Sequence, residues 1–340
     1  MKSIKEAKIL PGTIAIVRTD WNVPMKDGNV LDSKRIEASK KTIEYVLEKQ
    51  GKVIVISHLG DGADSLAPVV EEARCVFKGV DIDFIKDPWN SSSTDGVKAL
   101  EHLKNGSIAV FENIRFWMEK ENDEDFAKKL AQFGDIYVNE AFGVSHRNHT
   151  SVVSLPKFLP SFAGFGFLEE CEKLSELFEP EHPFLVILGG AKFETKLPLV
   201  QKFFNLADHI FIGGAMAGHA SEMSEFKNEK IIFPAQSYND LDADKHTLKL
   251  LEDKIKHAKF VLWNGPLGNY ENGYKEGTQT LAKMLASSNA KVVVGGGDTL
   301  SAIKELDLED KFYFVSMAGG AMLDFLANGT LPGVEALNRK

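Results

Sequence analysis

Short apolar runs that end abruptly in glycine or at a cation recur along the whole chain, with amphipathic stretches between them. Phe184-Leu185-Val186-Ile187-Leu188 is the clearest, five apolar residues stopped by Gly189-Gly190. A run with no polar alternation is apolar on both faces, so it reads as a buried strand of a parallel sheet. Alternation of such strands with helical stretches defines an α/β fold with mainly parallel sheets. In those sheets ligands sit beyond the carboxyl ends of the strands. The residues just past each run are therefore the candidate functional residues.

In the first half, the run from Thr13 to Val17 leads into Arg18-Thr19-Asp20-Trp21-Asn22-Val23-Pro24. Strand period puts Arg18, Asp20 and Asn22 on one side, and Pro24 ends the pairing. A helix is expected from Asp32 to Gln50, with Ile36, Ile43, Val46 and Leu47 inward and Gly51 as its stop. Lys52 to Ser57 is a strand ending in Ser57-His58-Leu59-Gly60. A helix over Ala67–Phe77 and a strand over Val80–Ile85 follow. The strand Ser107–Phe111 then leads to Glu112-Asn113-Ile114-Arg115-Phe116. A helix over Asp123–Phe133 precedes the strand Asp135–Val138, which runs into the stretch Asn139–His149. Arg18, His58, Arg115 and Arg147, with His146 and His149 beside the last, thus collect past strand ends. Any one alone reads as a solvated surface charge. Together they read as an anion site for a small phosphorylated acid, since the planar Arg fork grips phosphate or carboxylate through two bonds.

Proline and glycine crowd between Leu155 and Phe167 and mark a boundary. A helix over Glu169–Phe178 follows, broken by Glu179-Pro180-Glu181-His182-Pro183. In the second half five apolar runs each end in glycine: at Gly189-Gly190, Gly213-Gly214, Asn264-Gly265-Pro266, Gly295-Gly296-Gly297 and Gly319-Gly320. One glycine pair is usually a turn; five on one edge suggest a surface kept flat for a nucleotide. Lys192 and Lys196 are four apart, so on a helix after Ala191 both ammonium groups share a face that points back at Gly189-Gly190. That is a site for polyphosphate or, equally, a plain turn with two solvated lysines. Gly297-Asp298-Thr299 opens another helix, where Asp298 is placed to hold Mg²⁺ through oxygen or to act as a simple N-cap. No GxxxxGK[ST] loop occurs, and no GxGxxG opens a helix after a strand, which disfavours a dehydrogenase.

The bulk numbers exclude several classes. The 340 residues suit about two domains. A net charge of -9 argues against a broad nucleic-acid surface. Cys75 and Cys171 give neither a disulfide framework nor zinc spacing, so a reducing cytoplasm fits. The first apolar run is too short for a signal-peptide core, and no stretch approaches a membrane span. One half offers cations for a small acid, the other glycines and lysines for a nucleotide. Phosphoryl transfer between them needs positioning and charge neutralisation more than a protein nucleophile, so the residues indicate a small-molecule kinase.

The motifs named so far resemble the phosphoglycerate kinase family along nearly the whole chain. Arg18–Pro24 is similar to its R-x-D-x-N-V-P, and Ser57–Gly60, Glu112–Phe116 and Asn139–His149 to its N-terminal substrate motifs. Gly189–Lys196 resembles G-G-A-K-x-x-x-K, Trp263–Gly268 resembles W-N-G-P-x-G, Gly295–Thr299 resembles G-G-G-D-T, and Leu331–Val334 resembles the terminal L-P-G-V. The resemblance implies two Rossmann-like three-layer domains with parallel sheets, separated by a cleft and hinge. Their expected extents are 1–163 for the acid domain, 164–180 for an inter-domain helix, 181–320 for the nucleotide domain, and a 321–340 tail returning to the first domain. It implies reversible, Mg²⁺-dependent transfer between 1,3-bisphosphoglycerate and ADP, giving 3-phosphoglycerate and ATP, in glycolysis and gluconeogenesis, by a cytoplasmic monomer without nucleic-acid or membrane partners. Asp20 and Asn22 would bind the glycerate end; Arg18, His58, Arg115, His146 and Arg147 would serve the acid and its 3-phosphate. Arg35, on the resemblance alone, would stabilise the transferring group with Lys196, Gly296 and Gly320 as catalytic positions. Gly190, Lys192, Gly213, Gly214, Asn264, Pro266, Gly295, Gly297 and Thr299 would line the nucleotide, with Glu271 on the ribose and Asp298 on Mg²⁺.

Three departures stand out. Asp61-Gly62 replaces the family's Arg-Pro after His58-Leu59-Gly60, putting an anion near the 3-phosphate. The chain is short, with loops after Gly62 and around Pro234 to His246 trimmed, which touches the adenine wall. Ser316-Met317-Ala318-Gly319-Gly320 stands where the family has S-T-G-G-G. These departures leave room for two alternatives: a catalytically weak relative that binds a ligand or partner, or a kinase for another small acid.

Overall fold

The computed structural model describes residues 1–89, 100–234 and 241–339. They form two compact units, residues 1–170 joined by the last residues from Thr330, and residues 171–329.

The first unit is built on six strands: β1 (Ile14–Arg18), β2 (Lys52–Ile56), β3 (Ile82–Ile85), β4 (Ile108–Phe111), β5 (Ile136–Asn139) and β6 (Ser161–Ala163). Their order is β3-β4-β2-β1-β5-β6, every pair parallel. The inner strands are buried along almost their whole length, as their unbroken apolar runs require. β6 has no counterpart among the strands expected from sequence: it is three residues at the sheet edge, inside the proline- and glycine-rich stretch that signals a boundary. The helix expected over 32–50 is two pieces, α1 (Lys34–Ala38) and α2 (Lys40–Glu48). Between them the Ser39 hydroxyl donates to Ile36 O (2.7 Å) and accepts from the Trp21 indole N–H (3.0 Å), so it competes with the helical ladder. α3 (Ala67–Val76) and α4 (Glu124–Ala131) complete the layers, α4 capped by Asp123, which accepts from Phe126 N at 2.6 Å.

α5 (Phe165–Ser175) starts four residues before the expected helix and leads into the second unit. There the strands are β7 (Phe184–Leu188), β8 (His209–Ile212), β9 (Ile231–Ile232), β10 (Phe260–Asn264), β11 (Lys291–Gly295) and β12 (Phe314–Ser316). Their order is β9-β8-β7-β10-β11-β12, again all parallel. The chain thus winds outward one way from β7 and the other way from β10, a doubly wound sheet with its switch point between those two strands. The helices are α6 (Phe193–Phe203), α7 (Met216–Glu222), α8 (Lys245–Ile255), α9 (Glu276–Ala286), α10 (Gly297–Glu305) and α11 (Gly320–Asn328). α11 packs on α6 and stays with the second unit. Only the stretch from Thr330 goes with the first: α12 (Pro332–Asn338) packs there, with Gly333 N donating to Ser145 O at 2.9 Å. Among the described residues no helix is long and apolar enough to cross a membrane.

The register Leu188↔Asn264 brings the ends of β7 and β10 level. Gly189 N donates to Asn264 O (3.0 Å) and Gly190 N to Pro266 O (2.7 Å). A Cβ on Gly189 would lie 2.1 Å from Pro266 O, so only glycine fits between the two backbones. Gly189→Ala is expected to destabilise the second unit by about 1–3 kcal/mol, as overpacking does. Chemical denaturation followed by Trp263 fluorescence would register this as a lower midpoint; an unchanged midpoint would contradict the close approach.

Candidate active site

At the first unit's switch point, between β1 and β5, Arg18 is fully buried. Its Nε donates to Ser151 Oγ (2.7 Å), one terminal nitrogen donates to Thr19 O, and the other lies 3.3 Å from His58 Nδ1 and 3.6 Å from Glu119 Oε1. Glu119 is itself fully buried and accepts from Ser151 N (2.9 Å) and Ser151 Oγ (2.6 Å). Burial pushes its carboxyl upward, while Arg18 and the Ser151 bonds pull it back. A buried ion pair is tolerated only when its remaining lone pairs and protons are satisfied in this way. Sequence reasoning found Arg18 but not Glu119, whose role is set by contacts far away in the chain.

The other cations gather around this pair. His58 is buried with its pKa driven far down, first by burial and then by Arg18, Arg115 and Arg35. His149 is lowered to about 4, first by burial and then by Arg18, Arg115, Arg147 and His146. Each imidazole is therefore neutral at pH 7, and its field partners are the cations the sequence singled out. Arg115 is nearly buried and donates to Gly60 O; Arg147 is exposed and His146 half-buried. Asp20 Oδ2 holds Arg35 at 2.6 Å, and Asn22 Oδ1 accepts from Gly60 N at 2.9 Å. Thr19 Oγ1, Asp20 Oδ1, Arg115 Nε and His149 Nδ1 are buried with no hydrogen-bond partner among the described residues. Buried polar atoms are rarely left so. Arg115 Nε beside the cation cluster is a donor suited to an anionic group, and Asp20 Oδ1 is an acceptor suited to a hydroxyl of the same polar ligand.

At the second unit's switch point lies a cavity of about 550 Å³. It is lined by the caps of four helices: Lys192 before α6, Ala215 before α7, Gly296 before α10 and Gly319 before α11. None of these caps is closed by a side-chain hydrogen bond, and helix N-termini attract anions. Lys192 is exposed at the rim. Lys196 instead folds back and is buried, its ammonium donating to Gly189 O and, at 3.1 Å, to Asn264 O. Burial pushes its pKa down to about 8, with the charge of Asp298 acting the other way. Gly190, Gly214, Asn264, Pro266, Glu271, Gly297, Asp298 and Gly320 also line the cavity. Gly213, Gly295 and Thr299 lie behind it: Gly213 is packed against the Phe211 ring and Gly295 against Met322, and the buried Thr299 hydroxyl accepts from Gly265 N at 2.9 Å. Met317 and Ala318 also lie outside the lining.

Sequence reasoning missed the apolar end of the cavity, formed by Leu241, Leu267, Tyr270 and Leu323. Leu241 is fixed by Asn269 N donating to its carbonyl at 2.8 Å. Within the trimmed stretch from Pro234 to His246, residues 235–240 lie outside the described residues. Asp298 is the second residue of α10, two positions past the N-cap, which is Gly296, so it is not the cap itself.

An apolar end and a helix-capped, lysine-bearing end on a doubly wound sheet, in a chain whose other unit carries a cation cluster, define a small-molecule phosphotransferase. The family model described as phosphoglycerate kinase matches residues 4–230 and 218–329. The chain belongs to the phosphoglycerate kinase family. It is 34% identical to the phosphoglycerate kinase of Borreliella burgdorferi, covering 99% of each chain, and 35% identical to that of Finegoldia magna, covering 96% of each. The first alignment runs over 393 positions against 340 residues here, so this chain lacks segments that its relative carries. The structure of phosphoglycerate kinase from Coxiella burnetii superposes with a TM-score of 0.83 at 28% identity, over 99% of this chain and 98% of that one. That from Pyrococcus horikoshii OT3 reaches 0.87 at 24% identity, with 99% and 98% coverage, a likeness of fold.

The neutral histidines carry a pH signature. His58 and His149 resist protonation in the fold, so below about pH 6.5 the unfolded chain binds more protons than the native one. The contribution of these two histidines to stability then falls on acidification, over a window running from about 6.5 down to about 4 for His149. His58→Gln is expected to lose less stability than the parent chain between neutral and mildly acid pH in paired denaturation curves; an identical loss would refute a buried neutral His58.

Proposed function

We propose that the protein catalyses reversible phosphoryl transfer between 1,3-bisphosphoglycerate and ADP, giving 3-phosphoglycerate and ATP. The observation that carries this reading is the pairing of two built anion sites in one chain of this family: buried, unsatisfied polar atoms among the cations of the first unit, and the lysine-bearing, helix-capped cavity of the second. In the first, His58, Arg115 and Arg147 hold the 3-phosphate, with His146 beside them, while Asp20 and Asn22 take the glycerate end. His58 is neutral and its Nδ1 faces the Arg18 guanidinium, so its other ring nitrogen carries the proton and donates to phosphate. Arg18, fully buried beside His58, orients its ring.

In the second unit Lys192 meets the nucleotide phosphates, Glu271 the ribose, and the glycines let backbone N–H groups approach the phosphates. Lys196 meets the transferred group, with Arg35, Gly296 and Gly320 assigned to the same step. Its amine leaves two carbonyl contacts to do so, and a phosphoryl oxygen then offsets the burial that depresses its pKa. Asp298 would hold Mg²⁺, which neutralises phosphate charge. A single carboxylate beside a phosphate site suits that ion, and no cluster of three His, Cys, Asp or Glu side chains occurs among the described residues. Transfer is direct and charge-stabilised, and hinge closure brings the ligands together and excludes water. Cys75 and Cys171, both free thiols, fit a cytoplasmic enzyme, and a monomer suffices for this chemistry. Retention of Arg35, Lys192, Lys196 and Asp298 favours catalysis over a ligand-binding relative.

A coupled assay with 3-phosphoglycerate, ATP and Mg²⁺ tests the reading. Turnover is expected, with Lys196→Ala reducing kcat by at least about a hundredfold and Asp298→Asn demanding more Mg²⁺ for half-maximal rate. Absence of turnover by the parent chain, with ADP still binding in calorimetry, would leave a nucleotide site with another acceptor.

A further inference from the structure

Asp61 stands at the rim of the cation cluster, an anion beside Arg115. Its carboxylate is fully exposed, with Oδ1 3.8 Å from an Arg115 terminal nitrogen and 4.0 Å from Lys120 Nζ. Lys120 Nζ also donates to the Asp61 backbone carbonyl at 3.0 Å. Lys120 projects from a fixed stem. Glu119, its neighbour, is buried against Arg18 and Ser151, and Thr150 bonds to the carbonyls of Met118 (2.7 Å) and Glu119 (2.8 Å). The ammonium itself is half-exposed and has three donors, of which the carbonyl takes one. The loop and the stem are thus joined at the edge of the site, and the cation there comes from the stem.

We propose that Lys120 supplies positive charge to the phosphate site and offsets the Asp61 carboxylate at its rim. Its ammonium lies beside Asp61 and turns to the phosphate when a phosphorylated acid binds. This inference rests on reading the first unit as the site of the acid's phosphate. An exposed single ion pair is weak and easily exchanged. A phosphate monoester near neutral pH carries close to two negative charges, so it outcompetes the Asp61 carboxylate for the ammonium. The arrangement makes Asp61 a charge that lowers affinity and Lys120 the residue that restores it. Lys120 thereby favours acids bearing a dianionic phosphate over acids ending in a single carboxylate.

Calorimetric titration of nucleotide-free protein with 3-phosphoglycerate, and separately with inorganic phosphate, tests this without turnover. Lys120→Ala should weaken both by about five- to tenfold, and Lys120→Arg should restore them. Asp61→Asn should tighten binding. Steady-state assays should show the Lys120→Ala loss in KM for the acid, with KM for ATP unchanged. The loss must persist when Lys120→Ala is made in the Asp61→Asn background. If it vanishes there, Lys120 only masks Asp61 and the proposal fails; it fails equally if Lys120→Ala changes nothing, or if the parent chain binds neither ligand. Binding of inorganic phosphate that depends on Lys120, without binding of 3-phosphoglycerate, would uphold this inference and overturn the acid assigned above.

Discussion

Every strand in each six-stranded sheet runs the same way, and the rest of the molecule's chemistry depends on that. Parallel strands deliver all their carboxyl ends to one edge, and the helices that return the chain start from the same edge. In the second unit this sets four helix caps around one cavity. In the first it sets side chains from β1, β2, β4 and β5 beside one another although they are far apart in sequence. The sheet needs little else than unbroken apolar runs, since both faces are covered.

At each edge the fold then holds charge where burial opposes it. Arg18 and Glu119 are buried together, and the cost of removing both from water is met by Ser151, Thr19 O and His58. Burial first, and then the field of Arg18 and Arg115, keeps His58 and His149 neutral. Lys196 is held between two carbonyls with a depressed pKa. These groups are poised for an anion that the protein itself does not supply, and such perturbed groups cluster at functional sites.

Strand positions and the residues past them were legible in the sequence because an apolar run stopped by glycine or Arg has few other readings. What escaped depended on long-range contact. Ser39 breaks a helix because Trp21 bonds to it. Edge strand β6 is too short to stand out among prolines and glycines. The glycine runs suggest a flat nucleotide surface, yet Gly189 is dictated first by backbone meeting backbone and Gly265 by Lys196 and the Gly189 carbonyl, while Gly297 has open space around it. Neither Glu119 nor Lys120 carried a local signal. Asp61 was visible as a departure, but its partner was not.

The proposed reaction requires that the acid and the nucleotide bind to different units, each at its own sheet edge. Amide chemical-shift mapping with 3-phosphoglycerate and with MgADP, added separately, tests it directly. The acid should shift residues around His58, Arg115 and Arg147, and the nucleotide those around Gly190, Lys196 and Gly297. Both ligands perturbing one unit alone would contradict it.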